Sequence, residues 1–215
     1  MSADPDNEVI IFTGTGESWM AGVDPESSAA MNSVQHLPAE QAYQLLYADG
    51  LAMIQDLALS VEVPTIGVIN GPGPRKETAL MCDITLCAEH ATISDGNFAI
   101  GHAPPGDGMH LVLQEALGTK RASYYLLTGT TIDAPRALQL GLVDELLPAA
   151  ELMPRARELA RQILASPASS RRLAHAIAQR PWRRRVVDEL GFGLAHVAFG
   201  ARLGACQHRE KPHQP

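Results

Sequence analysis

Glu77 comes shortly after the run Gly71-Pro72-Gly73-Pro74 and leads the apolar stretch Thr78-Ala79-Leu80-Met81-Cys82. A carboxylate placed there has two uses. It can face the free N–H groups and positive end of a helix, an interaction worth ~0.3–1 kcal/mol. It can equally act as a general acid or base, with a pKa tuned by the scarcity of water. Asp107 follows Pro104-Pro105-Gly106 and precedes a helical run, so it can cap that helix and still point into a cleft. His102 and His110 stand on either side of it. Each imidazole suits proton transfer near neutral pH, and each can equally be a structural histidine. There is no Gly-x-Ser-x-Gly elbow, no P-loop and no His-Glu-x-x-His helix, and Gly14-Thr15-Gly16 lacks the third glycine of a dinucleotide fingerprint. Serine hydrolase, nucleotide and metal chemistry therefore find no support.

These residues need loops to hold them, and three glycine-bearing segments qualify: 14–24, 70–76 and 97–107. Glycine lets backbone N–H groups approach a ligand closely. Two such donors aimed at a carbonyl oxygen form an oxyanion hole, which stabilises charge as it develops. Plain turns would have the same composition.

The elements around the loops read as α/β. Val9-Ile10-Ile11-Phe12-Thr13 and residues 63–69 are short apolar runs rich in β-branched residues, the pattern of buried parallel strands. Between them, 17–37 has no sustained period and reads as a long loop, and Pro38-Ala39-Glu40 opens a helix reaching about residue 60. A short helix over 77–81, a third strand over 84–87 and a brief one over 92–94 follow. Strand, loop and helix alternate in the manner of βαβ units. Further helices are expected over 109–117, 121–127, 134–140, 149–165, 169–179 and 186–203. The polar tail 207–215 is expected to be disordered. The expected organisation is an α/β core over 1–148, a helical region over 149–206 and that tail.

Composition agrees with an ordinary globular protein: 215 residues, 46% hydrophobic and 19% charged. A formal net charge of −7 disfavours nucleic acid as a partner, since phosphate binding needs a concentrated basic surface. The one basic cluster, Arg180 with Arg183, Arg184 and Arg185, reads as a solvated helix start. Cys82, Cys87 and Cys206 are odd in number and show no C-x-x-C spacing, which suggests buried thiols rather than disulfides or zinc ligands. The acidic start resembles no signal peptide, and no apolar run reaches the ~20 residues of a membrane span. The expected compartment is the cytoplasm, without a membrane partner.

In their order along the chain, several motifs resemble enoyl-CoA hydratase/isomerase (crotonase) sequences. They are Ile10-Ile11-Phe12-Thr13-Gly14-Thr15-Gly16, Val63-Pro64-Thr65-Ile66-Gly67-Val68-Ile69-Asn70-Gly71-Pro72, Glu77-Thr78-Ala79-Leu80-Met81-Cys82-Asp83-Ile84 and Pro105-Gly106-Asp107-Gly108. Leu127-Thr128-Gly129 and Ala137-Leu138-Gln139-Leu140-Gly141-Leu142-Val143 complete the set, so the resemblance spans nearly the whole chain. Pro105-Gly106-Asp107-Gly108-Met109-His110 and Gly193-Leu194-Ala195-His196 are similar to the 6-oxocamphor hydrolase branch, whose members cleave a carbon–carbon bond of a β-diketone without coenzyme A. Members that use coenzyme A usually have a small residue in place of Asp107.

The resemblance implies a crotonase-like spiral of ββα units with a helical C-terminal region, assembled as a trimer or hexamer. It implies Glu77 and Asp107 as catalytic carboxylates, with His102 able to assist if its loop bends inward. Oxyanion donors are implied at Val23 and Gly73, the second weakened by Pro74, which has no N–H. The family's second catalytic position falls on Asn97 or Phe98, neither of which can be a base, and the branch's late glutamate falls on Val197. The family's strands before Val9 have no counterpart in this sequence, which fits either a shortened form or a start inside the gene. The leading expectation is an enzyme that stabilises an oxyanion or enolate and hydrolyses a β-dicarbonyl or related ketone, with no cofactor and a small carbonyl substrate. One alternative is hydration or isomerisation of a CoA thioester. Another is a catalytically silent homologue that binds a ligand or partner.

Overall fold

The computed structural model describes residues 4, 6–22, 37–95, 98 and 104–209. Its centre is a parallel sheet ordered β1-β2-β3-β6, made of β1 (Ile10–Thr13), β2 (Thr65–Ile69), β3 (Ile84–Ala88) and β6 (Glu145–Leu147). β4 (Thr92–Ile93) and β5 (Ile132–Asp133) form a separate antiparallel pair. The five residues of β2 are all buried, as a strand covered on both faces requires. In register, Ile11 pairs with Ile66, and Val68 with Leu86.

Helices cover this sheet. The first helical stretch contains α1 (Ala39–Tyr43) and α2 (Asp49–Gln55), each followed by one π-helical segment, Gln44–Ala48 and Asp56–Ser60. It matches the helix expected from residue 38 to 60, although widened turns interrupt it. α3 (Glu77–Leu80) lies directly on the sheet. A Cβ at Gly67 would come within 2.4 Å of Ala79 O, and Thr85 Oγ1 donates to that carbonyl at 2.9 Å. The close contact needs glycine on β2, and it fixes the height of α3 and of the residue that heads it.

α4 (Met109–Thr128) joins the two helices expected over 109–117 and 121–127. Gly118, at φ 73° and ψ 158°, is a non-helical joint between them. α5 (Ala134–Gln139) is capped by Asp133, whose side chain accepts from Arg136 N at 2.8 Å. α6 (Ala149–Leu164), α7 (Ala168–Ala178), α8 (Arg180–Arg185), a π-helical segment (Val186–Leu190) and α9 (Gly191–Arg209) make up the helical C-terminal region. α9 continues into the stretch expected as a tail.

A buried polar knot ties this region to the sheet. Asp83 accepts from Thr65 N at 2.7 Å, from His175 Nδ1 at 2.7 Å and from Gln179 Nε2 at 3.1 Å. Burial pushes the Asp83 carboxyl up, but the hydrogen bonds and the His175 charge outweigh it and hold the pKa below 3.8. Cys82 and Cys87 are free and buried, as expected, and burial pushes their thiols up to about 12 and about 11. No helix among the described residues is long and apolar enough to cross a membrane.

Candidate active site

The loop after β2 and the turn before α4 converge on one cluster. β2 ends at Asn70, whose side chain clasps the loop after β1: Oδ1 accepts from Gly14 N at 3.2 Å, and Nδ2 donates to Gly16 O at 2.8 Å and Ser18 O at 3.1 Å. Trp19 closes the other side. Its N–H donates to Pro72 O at 2.9 Å and its indole Nε1 to Arg75 O at 3.1 Å. The two loops approach so closely that a Cβ at Gly73 would sit 2.6 Å from the backbone N and O of Met20. Gly73 has φ +138°, which strongly favours glycine. The Gly73 carbonyl accepts from the buried Lys76 amine, so it is turned into the loop.

Glu77 follows as the first residue of α3, with only 3% of its surface exposed. Its carboxyl accepts from its own backbone N–H at the start of α3 and also faces a cation. Oε1 lies 3.4 Å from Arg75 Nη1, and the same nitrogen is 3.0 Å from Asp107 Oδ2. Burial, then the nearby Asp107 charge, push the Glu77 carboxyl up to about 7, with Arg75 acting against them. Asp107, 22% exposed, does not cap α4. Gly108 holds the cap position at φ +120°, and no side chain caps this helix. The two carboxylates thus meet across the Arg75 guanidinium.

Gly108 also controls where Glu77 lies. A Cβ there would come within 2.8 Å of Ile54 Cδ1 and 3.1 Å of Glu77 Cγ. The neighbouring Gly106 lies against α9, where a Cβ would meet Gly193 O at 2.3 Å and Val197 Cγ2 at 2.9 Å. Val197 therefore does stand beside the Asp107 turn, with an apolar side chain in the place where the resemblance expects a glutamate. The same turn walls a cleft of about 520 Å³, shared with His110, Gln114, Phe192 and His196. His110 is buried, and its Nδ1 has no hydrogen-bond partner among the described residues. Burial lowers its pKa, against the pull of Asp107.

Of the residues expected from sequence, Glu77 and Asp107 come together across Arg75, and Gly73 lies in the preceding loop against Met20. Phe98 is exposed and carries no titratable group. Val23, Asn97 and His102 lie outside the described residues. Arg75 was not anticipated. Its only local signal is a charged residue between two prolines' worth of turn and a catalytic-type glutamate, and such residues are usually solvated. Its φ of 61° makes it the non-glycine residue with a left-handed backbone among those described. Such strain persists only where the surroundings enforce it. No group of three or more His, Cys, Asp or Glu among the described residues could hold a metal ion.

Residues 1–190 match the family model of enoyl-CoA hydratase/isomerase. The chain is 31% identical to hydroxycinnamoyl-CoA hydratase-lyase of Pseudomonas fluorescens, over 76% of this chain and 59% of that protein, so it spans less than two thirds of that relative's length. It is 32% identical to a probable enoyl-CoA hydratase of Mycobacterium bovis, over 91% of this chain and 74% of that one. Among solved structures, it resembles a β-diketone hydrolase of the cyanobacterium Anabaena bound to (S)-3-oxocyclohexyl acetic acid. That likeness has 32% identity and a TM-score of 0.84, covering 94% of this chain and 78% of the other.

Proposed function

Because the chain belongs to the enoyl-CoA hydratase/isomerase family, we propose that it hydrolyses a carbon–carbon bond of a small β-dicarbonyl compound. The observation that carries this reading is the pair of carboxylates joined by Arg75. Glu77 is buried and protonated for much of the time near neutral pH, while Asp107 is partly exposed and paired with a cation. Two carboxylates in such different settings divide acid and base work between them. The likeness to the cyanobacterial β-diketone hydrolase supports the same substrate class.

In this reading Asp107 orients a water molecule and takes its proton as the oxygen attacks one carbonyl carbon. Backbone N–H groups of the loop around Gly73 face the oxygen that gains charge. The carbon–carbon bond then breaks, and its electron pair passes into the second carbonyl as an enolate. Glu77 delivers a proton to the enolate carbon. One water is added overall, its OH to the acyl carbon and its H to the departing carbon, so a cyclic diketone gives a keto acid, and the proton taken by Asp107 is passed back to Glu77 to close the cycle.

A second reading, hydration or isomerisation of a CoA thioester, is favoured by the coenzyme A substrates in the names of the two curated relatives. Turnover of a panel of cyclic β-diketones and enoyl-CoA esters, followed by mass spectrometry, separates the two. Keto acid from a diketone is the expected product. Conversion of thioesters alone would replace this reading with the second one.

A further inference from the structure

We infer that Arg75 is a carboxylate-recognition residue, holding an anionic oxygen of the ligand on the guanidinium edge that its protein partners leave open. The inference rests on the hydrolase reading and deepens it, because cleavage of a β-dicarbonyl converts a neutral substrate into a carboxylate product.

Geometry supports it in two ways. First, guanidinium presents five N–H donors in a rigid fork, and both protein contacts of Arg75 use the single nitrogen Nη1. Its Nε and Nη2 have no partner among the described residues, and the side chain is 40% exposed. A fork edge of this kind matches a carboxylate through two parallel hydrogen bonds. Second, the side chain is aimed by a constrained backbone. Arg75 has φ 61°, and its carbonyl accepts from Trp19 Nε1 at 3.1 Å and Thr78 Oγ1 at 3.0 Å. An arginine that served only to neutralise two carboxylates would not need a strained and doubly anchored turn.

The test is calorimetric titration of the full chain with (S)-3-oxocyclohexyl acetic acid and with its methyl ester, which lacks the charge and adds one methyl group. The wild type is expected to bind the acid at least about ten-fold more tightly than the ester. In Arg75→Met that preference falls to about one, through loss of acid binding with ester binding unchanged. Arg75→Lys, which keeps the charge but not the fork, retains part of the preference and serves if the methionine variant does not fold. Equal binding of acid and ester by the wild type, binding of neither, or an unchanged preference in both folded variants would overturn the assignment. Diketone cleavage without any acid preference removes the Arg75 role and leaves the hydrolase. An Arg75-dependent preference without diketone cleavage removes the hydrolase and leaves the anion site.

Discussion

Arg75 and Asp107 lie 32 residues apart in sequence and 3.0 Å apart in space, joined through the nitrogen that also faces Glu77. The contact locks the loop after β2 to the turn before α4, and the Asp107 charge it holds there raises the Glu77 pKa. Replacing Asp107 tests this coupling. Asp107→Asn is expected to lower kcat by about 10²–10⁴-fold, the range supplied by general acid–base groups. It also removes a negative charge that raises the Glu77 pKa, so the Glu77 inflection in the pH–rate profile moves toward acid. A profile unchanged in shape would show that the two groups do not communicate.

Stability should carry the mark of Glu77. Its folded-state pKa, about 7, is above the 4.5 of the unfolded chain, so the folded protein binds the proton more tightly. This contribution is intact below pH 4.5 and is lost as pH rises through 7, at a cost on the order of 3 kcal/mol. Glu77→Gln cannot ionise and escapes that loss. Thermal melts from pH 5 to 8.5 should therefore show the variant gaining on the wild type as pH rises, and parallel curves would contradict the placement.

Gly108→Ala is expected to harm both fold and site. The new Cβ would need φ +120° and would press on Ile54 and Glu77, for about 1–3 kcal/mol of destabilisation. Because Glu77 has to move, kcat should fall even at temperatures where the variant remains folded. Chemical denaturation and steady-state kinetics on the same preparation measure the two effects separately.

Loss of the Asn70 clasp should loosen one wall of the site. Asn70→Ala removes the partner of Gly14 N and of the Gly16 and Ser18 carbonyls, which costs about 0.5–1.5 kcal/mol. Hydrogen exchange should rise over residues 14–19 while β2 and β3 stay protected. Exchange spread evenly over the sheet would mean that the clasp supports the whole fold instead.

What could be read from the sequence was what depends on local pattern. The buried strand before Asn70 announced itself as an apolar β-branched run, and Glu77 as a charge set into an apolar stretch. Asp107 was visible as a residue of interest, but its capping role passed to Gly108, because a cap is decided by backbone angles rather than residue type. β5 and β6 were missed because they are short and owe their existence to distant partners, such as Leu86 for Glu145. Arg75 was missed for the same reason, since its meaning lies in the turn that aims it and in the contact with Asp107.

The most direct test of the account is incubation of the purified chain with a cyclic β-diketone in ¹⁸O-labelled water, with the products read by mass spectrometry. The account predicts a keto acid carrying one ¹⁸O in its new carboxylate, formed by the wild type and lost in Asp107→Ala. Intact diketone from folded protein, with ¹⁸O-labelled hydroxyacyl-CoA formed from an enoyl-CoA ester instead, would contradict it.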